Sequence, residues 1–239
     1  MCRLKLEVLI LSVCLSHSLS SQSEPQEQPY EIESFTFAQH WPVTECKLWT
    51  YVTHPGGSCS FPRKPNHWTV HGLWPKINRT PGGYCNDSWP LDREMIDDLE
   101  IKLNQTWTNI YKESEHYSLW DHEWRKHGTC ATAHKSLNTQ YKYFNKGINW
   151  NHKYSFRTMF RDAGLLPSDT KPVTPEEIVA AIKTVTKKLP MIVCETIFDV
   201  QYLDELRLCF DNMLNITDCH PVVDDTCNKS KDIIYAATV

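Results

Sequence analysis

Apolar residues in this chain recur with two periods, one of strands and one of helices. In SFTFAQHW, Phe35, Phe37 and Gln39 alternate with the residues between them and predict a strand. HWTVHGLWP at 67–75 predicts a second. Its alternation sends Trp68 and Val70 one way and Thr69, His71 and Leu73 the other, and Pro75 stops it. Helical spacing follows. Ile96, Leu99 and Leu103 share one face over about 92–104, and further helices are predicted over about 118–128, 136–147 and 152–163. Thr174-Pro175-Glu176-Glu177 reads as N-cap, first-turn proline and third-position glutamate, starting a helix that runs to about Lys188. Strands near 191–197 and 203–211 close the pattern, the latter with Leu206, Leu208 and Phe210 on one face. Strands and helices mix without strict alternation, and no repeat or second linker interrupts them. The expectation is an α+β fold in a single domain, a central antiparallel sheet flanked by helices.

The N-terminus breaks this pattern. Arg3 and Lys5 precede the apolar run LEVLILSVCL at 6–15, and small residues follow, with Ser18 and Ser20 where a signal peptidase reads. Residues 1–20 are expected to be a secretory signal peptide, too short to span a membrane. Residues 21–33 are polar and proline-containing, a flexible lead-in, which leaves 34–239 as the folded domain. No other apolar run approaches a membrane span, so no membrane anchor is expected.

That segment changes the meaning of the cysteines. Ten are present, and Cys2 and Cys14 leave with the signal. The remaining even set is Cys46, Cys59, Cys85, Cys130, Cys194, Cys209, Cys219 and Cys227. In an oxidising compartment these predict a disulfide-stapled fold, although spacing alone does not choose the pairs. Sequons at Asn78, Asn86, Asn104, Asn215 and Asn228 predict N-glycans. The expected destination is the cell exterior, the lysosomal lumen, or both. Lys and Arg number 25 against 29 Asp and Glu, a formal net charge of −4. This excludes a polybasic nucleic-acid binder, so any nucleic acid would be handled by a few placed groups. Hydrophobic content of 41% with nine tryptophans excludes a disordered chain.

The sharpest cluster of chemistry is His122-Glu-Trp-Arg-Lys-His127-Gly-Thr-Cys130. On an α-helix at about 100° per residue, Lys126, Glu123 and His127 fall within about 140° of His122, with Trp124 and Arg125 on the other side. Two imidazoles, a carboxylate and an ammonium on one face suit proton transfer and anion stabilisation. The metalloprotease pattern H-E-x-x-H is missed by one residue. Imidazoles about 140° apart chelate one ion poorly, so no metal is expected. The second cluster is His67-Trp-Thr-Val-His71-Gly-Leu-Trp-Pro75. The glycine after His71 would let another chain or a substrate approach closely.

Together the two segments resemble the active-site signatures of the ribonuclease T2 family of secreted and lysosomal acid ribonucleases. WTVHGLWP resembles the first and HEWRKHGTC the second. QHWP at 39–42, CNDSWP at 85–90 and the eight cysteines extend the similarity over about 34–230, closest to animal members. The resemblance implies cleavage of single-stranded RNA without metal or other cofactor, through a 2′,3′-cyclic phosphate. It implies His127 as the base and His71 as the acid. Glu123 and Lys126 would stabilise the transferring phosphate, His122 would hold it, and Trp74 would stack on a base. It also implies the bridges Cys46–Cys59, Cys85–Cys130, Cys194–Cys227 and Cys209–Cys219. DNA lacks the attacking hydroxyl and is not expected as a substrate. The protein is expected to act as a monomer with an acidic pH optimum. Family members often carry an acidic residue after the HGLWP proline. Lys76 stands there in this chain and cannot accept a hydrogen bond from a base, so base preference does not carry over. A secreted glycoprotein acting by binding alone is the competing reading, and the intact motif residues weigh against it.

Overall fold

A computed structural model describes residues 30–62, 67–79 and 82–239. The signal peptide expected over 1–20, and most of the lead-in, lie outside the described residues. One sheet runs in the order β2 (Thr69–Ile77), β1 (Ile32–His40), β5 (Val200–Asp211), β7 (Ile233–Ile234) and β3 (Pro172–Val173). Strands β4 (Met191–Ile197) and β6 (Ile216–Thr217) also pair with β5. The pairings are antiparallel except a short parallel contact between β5 and β7. Strand β5 is the hub: β1 lies along residues 205–211 and β4 along residues 200–207.

Two strands differ from the alternation that the sequence predicts. Strand β2 does not stop at Pro75 but pairs through it to Ile77. It has β1 on one side only, and an edge strand tolerates a residue with no N–H. The register of β1 with β2 steps from Ala38↔Gly72 to Gln39↔Val70, which leaves His71 as an extra residue. This β-bulge shifts the phase of the side chains. Leu73 therefore joins Trp68 and Val70 in the core instead of sharing a face with His71, and His71 instead meets Trp74. A matching step from Val193↔Glu205 to Cys194↔Leu203 makes Asp204 an extra residue in β5. Both bulges flank His40, which pairs with Thr69 on one side and Glu205 on the other.

The segment predicted over 92–104 is a 3-10 turn (Arg93–Leu99) leading into α2 (Glu100–Thr106), with Ile96, Leu99 and Leu103 buried as predicted. The two helices predicted over 136–147 and 152–163 are instead α5 (Gln140–Lys153) and α6 (Phe156–Asp162). Side-chain caps set these bounds: Thr139 accepts from the Lys142 amide and Ser155 from the Thr158 amide. Helix α7 (Pro175–Thr186) starts at the capping box formed by Thr174 and Glu177. A short helix α1 (Pro42–Leu48) and a π-helical turn over 49–53 were not legible in the sequence.

The core lies between the helices and the inner face of the sheet. Phe37, Leu206, Leu208 and Phe210 meet Trp107, Phe144 and Trp150, all nearly inaccessible to solvent. Trp150 stacks on Phe210 at 3.9 Å and meets Phe37 edge-on at 5.5 Å. Burying each such side chain contributes about 1.5–3 kcal/mol. A buried polar link spans the same layer. Asn151 donates to Gln39 and to the Trp68 carbonyl, and Gln39 donates to the Tyr154 carbonyl. Helix α5 is thereby fixed to β1 and to the start of β2, which bears His71.

Four disulfides join Cys46–Cys59, Cys85–Cys130, Cys194–Cys227 and Cys209–Cys219. Asn78, Asn86, Asn215 and Asn228 are exposed in loops, whereas Asn104 is half-buried within α2. Among the described residues no helix is long and apolar enough to cross a membrane.

Candidate active site

The second histidine-rich segment is not a uniform α-helix. Helix α3 (Ser118–Glu123) opens into a π-helical turn over Trp124–Gly128 and then a single α-helical turn, α4 (Thr129–Ala131). The Thr129 amide reaches back five residues to the Trp124 carbonyl. Residues five apart are then about one turn apart. The wider turn narrows the roughly 140° separation of His122 and His127 expected on an ideal α-helix. Local packing explains the wide turn. Trp124 is fully buried, its indole donating to the Trp89 carbonyl at 2.9 Å and meeting the Trp89 ring edge-on. The Tyr84 amide donates to the Lys126 carbonyl from outside the helix at 2.9 Å, and Cys130 is tied to Cys85 next to it. Among the described residues, no three His, Cys, Asp or Glu side chains are placed to hold a metal ion.

Trp74 lies where the helix meets β2. Its indole donates to Glu123 Oε2 at 2.8 Å. Its ring meets His71 edge-on at 5.0 Å and His127 at 5.5 Å, with the Arg207 guanidinium 5.3 Å from its centroid. Gly72 makes this possible: a Cβ there would run into both the Trp74 indole and the Glu123 carboxylate. The group that approaches this glycine closely is thus the protein's own. Gly72→Ala is expected to separate Trp74 from Glu123 and lower kcat about 100-fold. RNA turnover and near-UV circular dichroism check this together; an unchanged rate would show that the contact is dispensable.

The four central groups have sharply different electrostatics. Glu123 is fully buried, and its Oε1 has no hydrogen-bond partner. Burial pushes its carboxyl up to about 7, against the opposing pull of His71, Trp74 and Lys126. Burial would lower the His71 imidazole, but the hydrogen bond and charge of Glu205, then Glu123 and Glu45, push it up to about 9. The contact from His71 Nδ1 to Glu205 Oε2 is 2.5 Å. His127 goes the other way: burial and the cations Lys126, His122 and His71 push it down to about 3. His122 is exposed and is lowered by burial, Lys126 and His71, with Asp121 opposing.

The structure thus brings His71, Trp74, Glu123 and His127 together, with His122 and Lys126 on the same helix. Arg125 is engaged elsewhere, paired with Asp121 at 2.8 Å. Lys76 is turned to solvent and paired with Glu33 at 2.8 Å. Sequence reasoning missed His40, Glu45, Glu205 and Arg207. His40 stacks on His71 at 5.2 Å, and its Nδ1 is 3.4 Å from Glu45. The signal for the β5 pair was visible: Asp204, Glu205 and Arg207 interrupt a strand that is otherwise apolar at Leu203, Leu206 and Leu208.

The family model for the ribonuclease T2 family matches residues 32–219. Ribonuclease Oy of Magallana gigas is 33% identical over 211 residues, 84% of this chain and 94% of that protein. Ribonuclease T2 of Sus scrofa is 31% identical over 195 residues, 80% of this chain and 90% of that one. Among solved structures, ribonuclease NT in complex with 5′-AMP superposes with a TM-score of 0.72 at 26% identity, covering 86% of this chain and 98% of that one. Human ribonuclease T2 gives 0.70 at 26% identity over 85% of this chain and 98% of that one.

Proposed function

The chain belongs to the ribonuclease T2 family and is an RNA endonuclease of that type, and from this premise we propose a metal-independent cleavage of single-stranded RNA through a 2′,3′-cyclic phosphate. The observation that carries the mechanism is the opposite perturbation of the two imidazoles beside Trp74. Environments that push two titratable groups apart assign the acid and the base. His127, kept neutral, accepts the proton of the ribose 2′-OH as that oxygen attacks phosphorus. His71, kept protonated, delivers a proton from Nε2 to the departing 5′-oxygen. The phosphate gains negative charge between them. Lys126 and His122 meet that charge from the helix.

Glu123 needs its proton for this task. An ionised carboxylate would repel the phosphate, whereas a carboxylic acid donates a hydrogen bond to it. With Oε2 occupied by Trp74, the unpartnered Oε1 is the donor position. Trp74 supports a base while braced from behind by Arg207. DNA offers no 2′-hydroxyl and is not cleaved.

The pH dependence follows with its signs. The rate rises as His127 loses its proton near about 3 and falls as His71 loses its proton near about 9. Ionisation of Glu123 near about 7 lowers the rate before that. Activity is therefore highest on the acidic side of neutrality. The test is digestion of a defined single-stranded RNA in EDTA across about pH 4–9, with the product ends read for cyclic phosphate. EDTA-resistant cleavage that peaks in acid and leaves cyclic ends is expected. Inhibition by EDTA, or a rate climbing steadily through the alkaline range, would contradict the scheme.

An acidic optimum suits the lysosomal lumen, and the signal-like residues 1–20 and the five sequons support a secretory route for a monomeric glycoprotein. The nucleotide-bound relatives support recognition of RNA; the base preference is left open by Lys76.

A further inference from the structure

We propose that Glu205 and Arg207, two residues apart on β5, are a positioning pair: Glu205 fixes the His71 imidazole as a proton donor, and Arg207 fixes Glu205. This rests on His71 being the acid. The Glu205 side chain is only 3% exposed, and both of its oxygens are used. Oε2 takes His71 Nδ1 and Oε1 takes Arg207 Nε, each at 2.5 Å. With Nδ1 committed, Nε2 is the nitrogen left for the leaving oxygen. A carboxylate so placed selects the tautomer and stabilises the imidazolium, as an orienting acid does for a catalytic histidine elsewhere. The low-dielectric setting strengthens the contact.

The two bulges bring these groups together. The one at His71 takes the imidazole out of the core face, and the one at Asp204 resets the phase of β5 just before Glu205. His40 covers one ring face of His71 at an interplanar angle of 20°, and the Trp107 indole donates to the His71 carbonyl at 2.9 Å. The ring is thus held at its edge, its face and its backbone. Arg207 reaches Met191 Sδ at 3.6 Å and Asp224 at 4.0 Å, and its guanidinium lies over Trp74. One arginine thereby fastens both the acid's partner and the aromatic plate. The other charged or titratable groups that act on His71 are Glu45 from α1, Glu123, His122 and His127 from the helical segment, and His40 of β1 on its ring face. Among the described residues, Glu205 is the charged group hydrogen-bonded to the imidazole.

Any ion pair to His71 moves its titration, but a purely structural one would not slow cleavage of RNA selectively over a substrate that needs no proton donor. The test is Glu205→Gln in the full chain, with His71 followed by NMR and kinetics measured on two substrates. The His71 midpoint is expected to fall toward that of an ordinary histidine, and the alkaline limb on RNA should fall with it. On RNA, kcat should drop about 100-fold with KM little changed. A uridine 3′-phosphate ester with a p-nitrophenol leaving group needs no proton donor, so its rate should stay near that of the parent. Arg207→Gln should lower kcat on RNA by a smaller factor and again spare the activated ester. If Glu205→Gln does not fold, Glu205→Asp keeps the charge but withdraws it by one methylene, and should lower the midpoint as well. An unchanged His71 titration in whichever Glu205 variant folds overturns the proposal. His71→Phe on the activated ester separates the two claims: a loss there as large as on RNA removes the acid role from His71, even where Glu205 governs its titration.

Discussion

His127→Phe is expected to lower kcat/KM on single-stranded RNA by about 10²- to 10⁴-fold, the range that a lost general base costs. Phenylalanine keeps the ring volume beside Trp74 and removes only the proton acceptor. No nearby group substitutes. Glu123 is held near neutrality by burial with one oxygen tied to Trp74, and His122 lies on the exposed side of the helix. His71→Phe should cost a similar factor on RNA and much less on the activated ester, whereas His127→Phe should impair both substrates. Cleavage that persists in both variants would remove the two-histidine scheme. Binding of a non-cleavable RNA with a 2′-deoxy scissile nucleotide should survive either change. If binding collapses as far as turnover does, the histidines act by holding substrate.

The second large effect lies in the bridge between Cys85 and Cys130, whose partners are 45 residues apart. Chain-entropy estimates for a loop of that length give roughly 4 kcal/mol, a large share of the stability of a domain this size. Cys85→Ala with Cys130→Ala should therefore lower the thermal midpoint substantially and reduce activity with it. Loss of activity should follow loss of structure, because the bridge anchors the chain at the Tyr84 amide that meets the Lys126 carbonyl. The paired variant should regain RNA cleavage at low temperature, where the fold is populated. Full stability without this bridge, measured by chemical unfolding, would show that the π-turn holds itself.

Much of the site was legible because its chemistry is carried by two short segments. His71, Trp74, Glu123 and His127 converge although 49 residues separate Trp74 from Glu123. What the sequence hid was geometry set by tertiary contacts. Simple alternation placed His71 and Leu73 together, and the bulge separated them, because Leu73 had a better partner in the core beside Phe37. Ideal helical rotation misplaced His127, because buried Trp124 and the Tyr84 contact favour a wider turn. Glu205 was visible as a charge in an apolar strand, but its partner was not. Nothing local marks a strand carboxylate as an imidazole's partner when 134 residues lie between them. The helix bounds near 147–152 slipped because two serine/threonine caps, and not hydrophobic spacing, decide where those helices begin.

The outer position of β2 also bears on self-association. A sheet margin with free backbone groups invites a second molecule to add its own strand. Here that margin carries His71 and Trp74 of the candidate site and cannot simply be shortened. Pro75 withholds a donor within it, Lys76 adds an exposed ammonium, and the His71 bulge spoils its flatness. The same irregularities that place His71 thus make the rim a poor template for aggregation, and Pro75→Val with Lys76→Val would be the pair to watch for it.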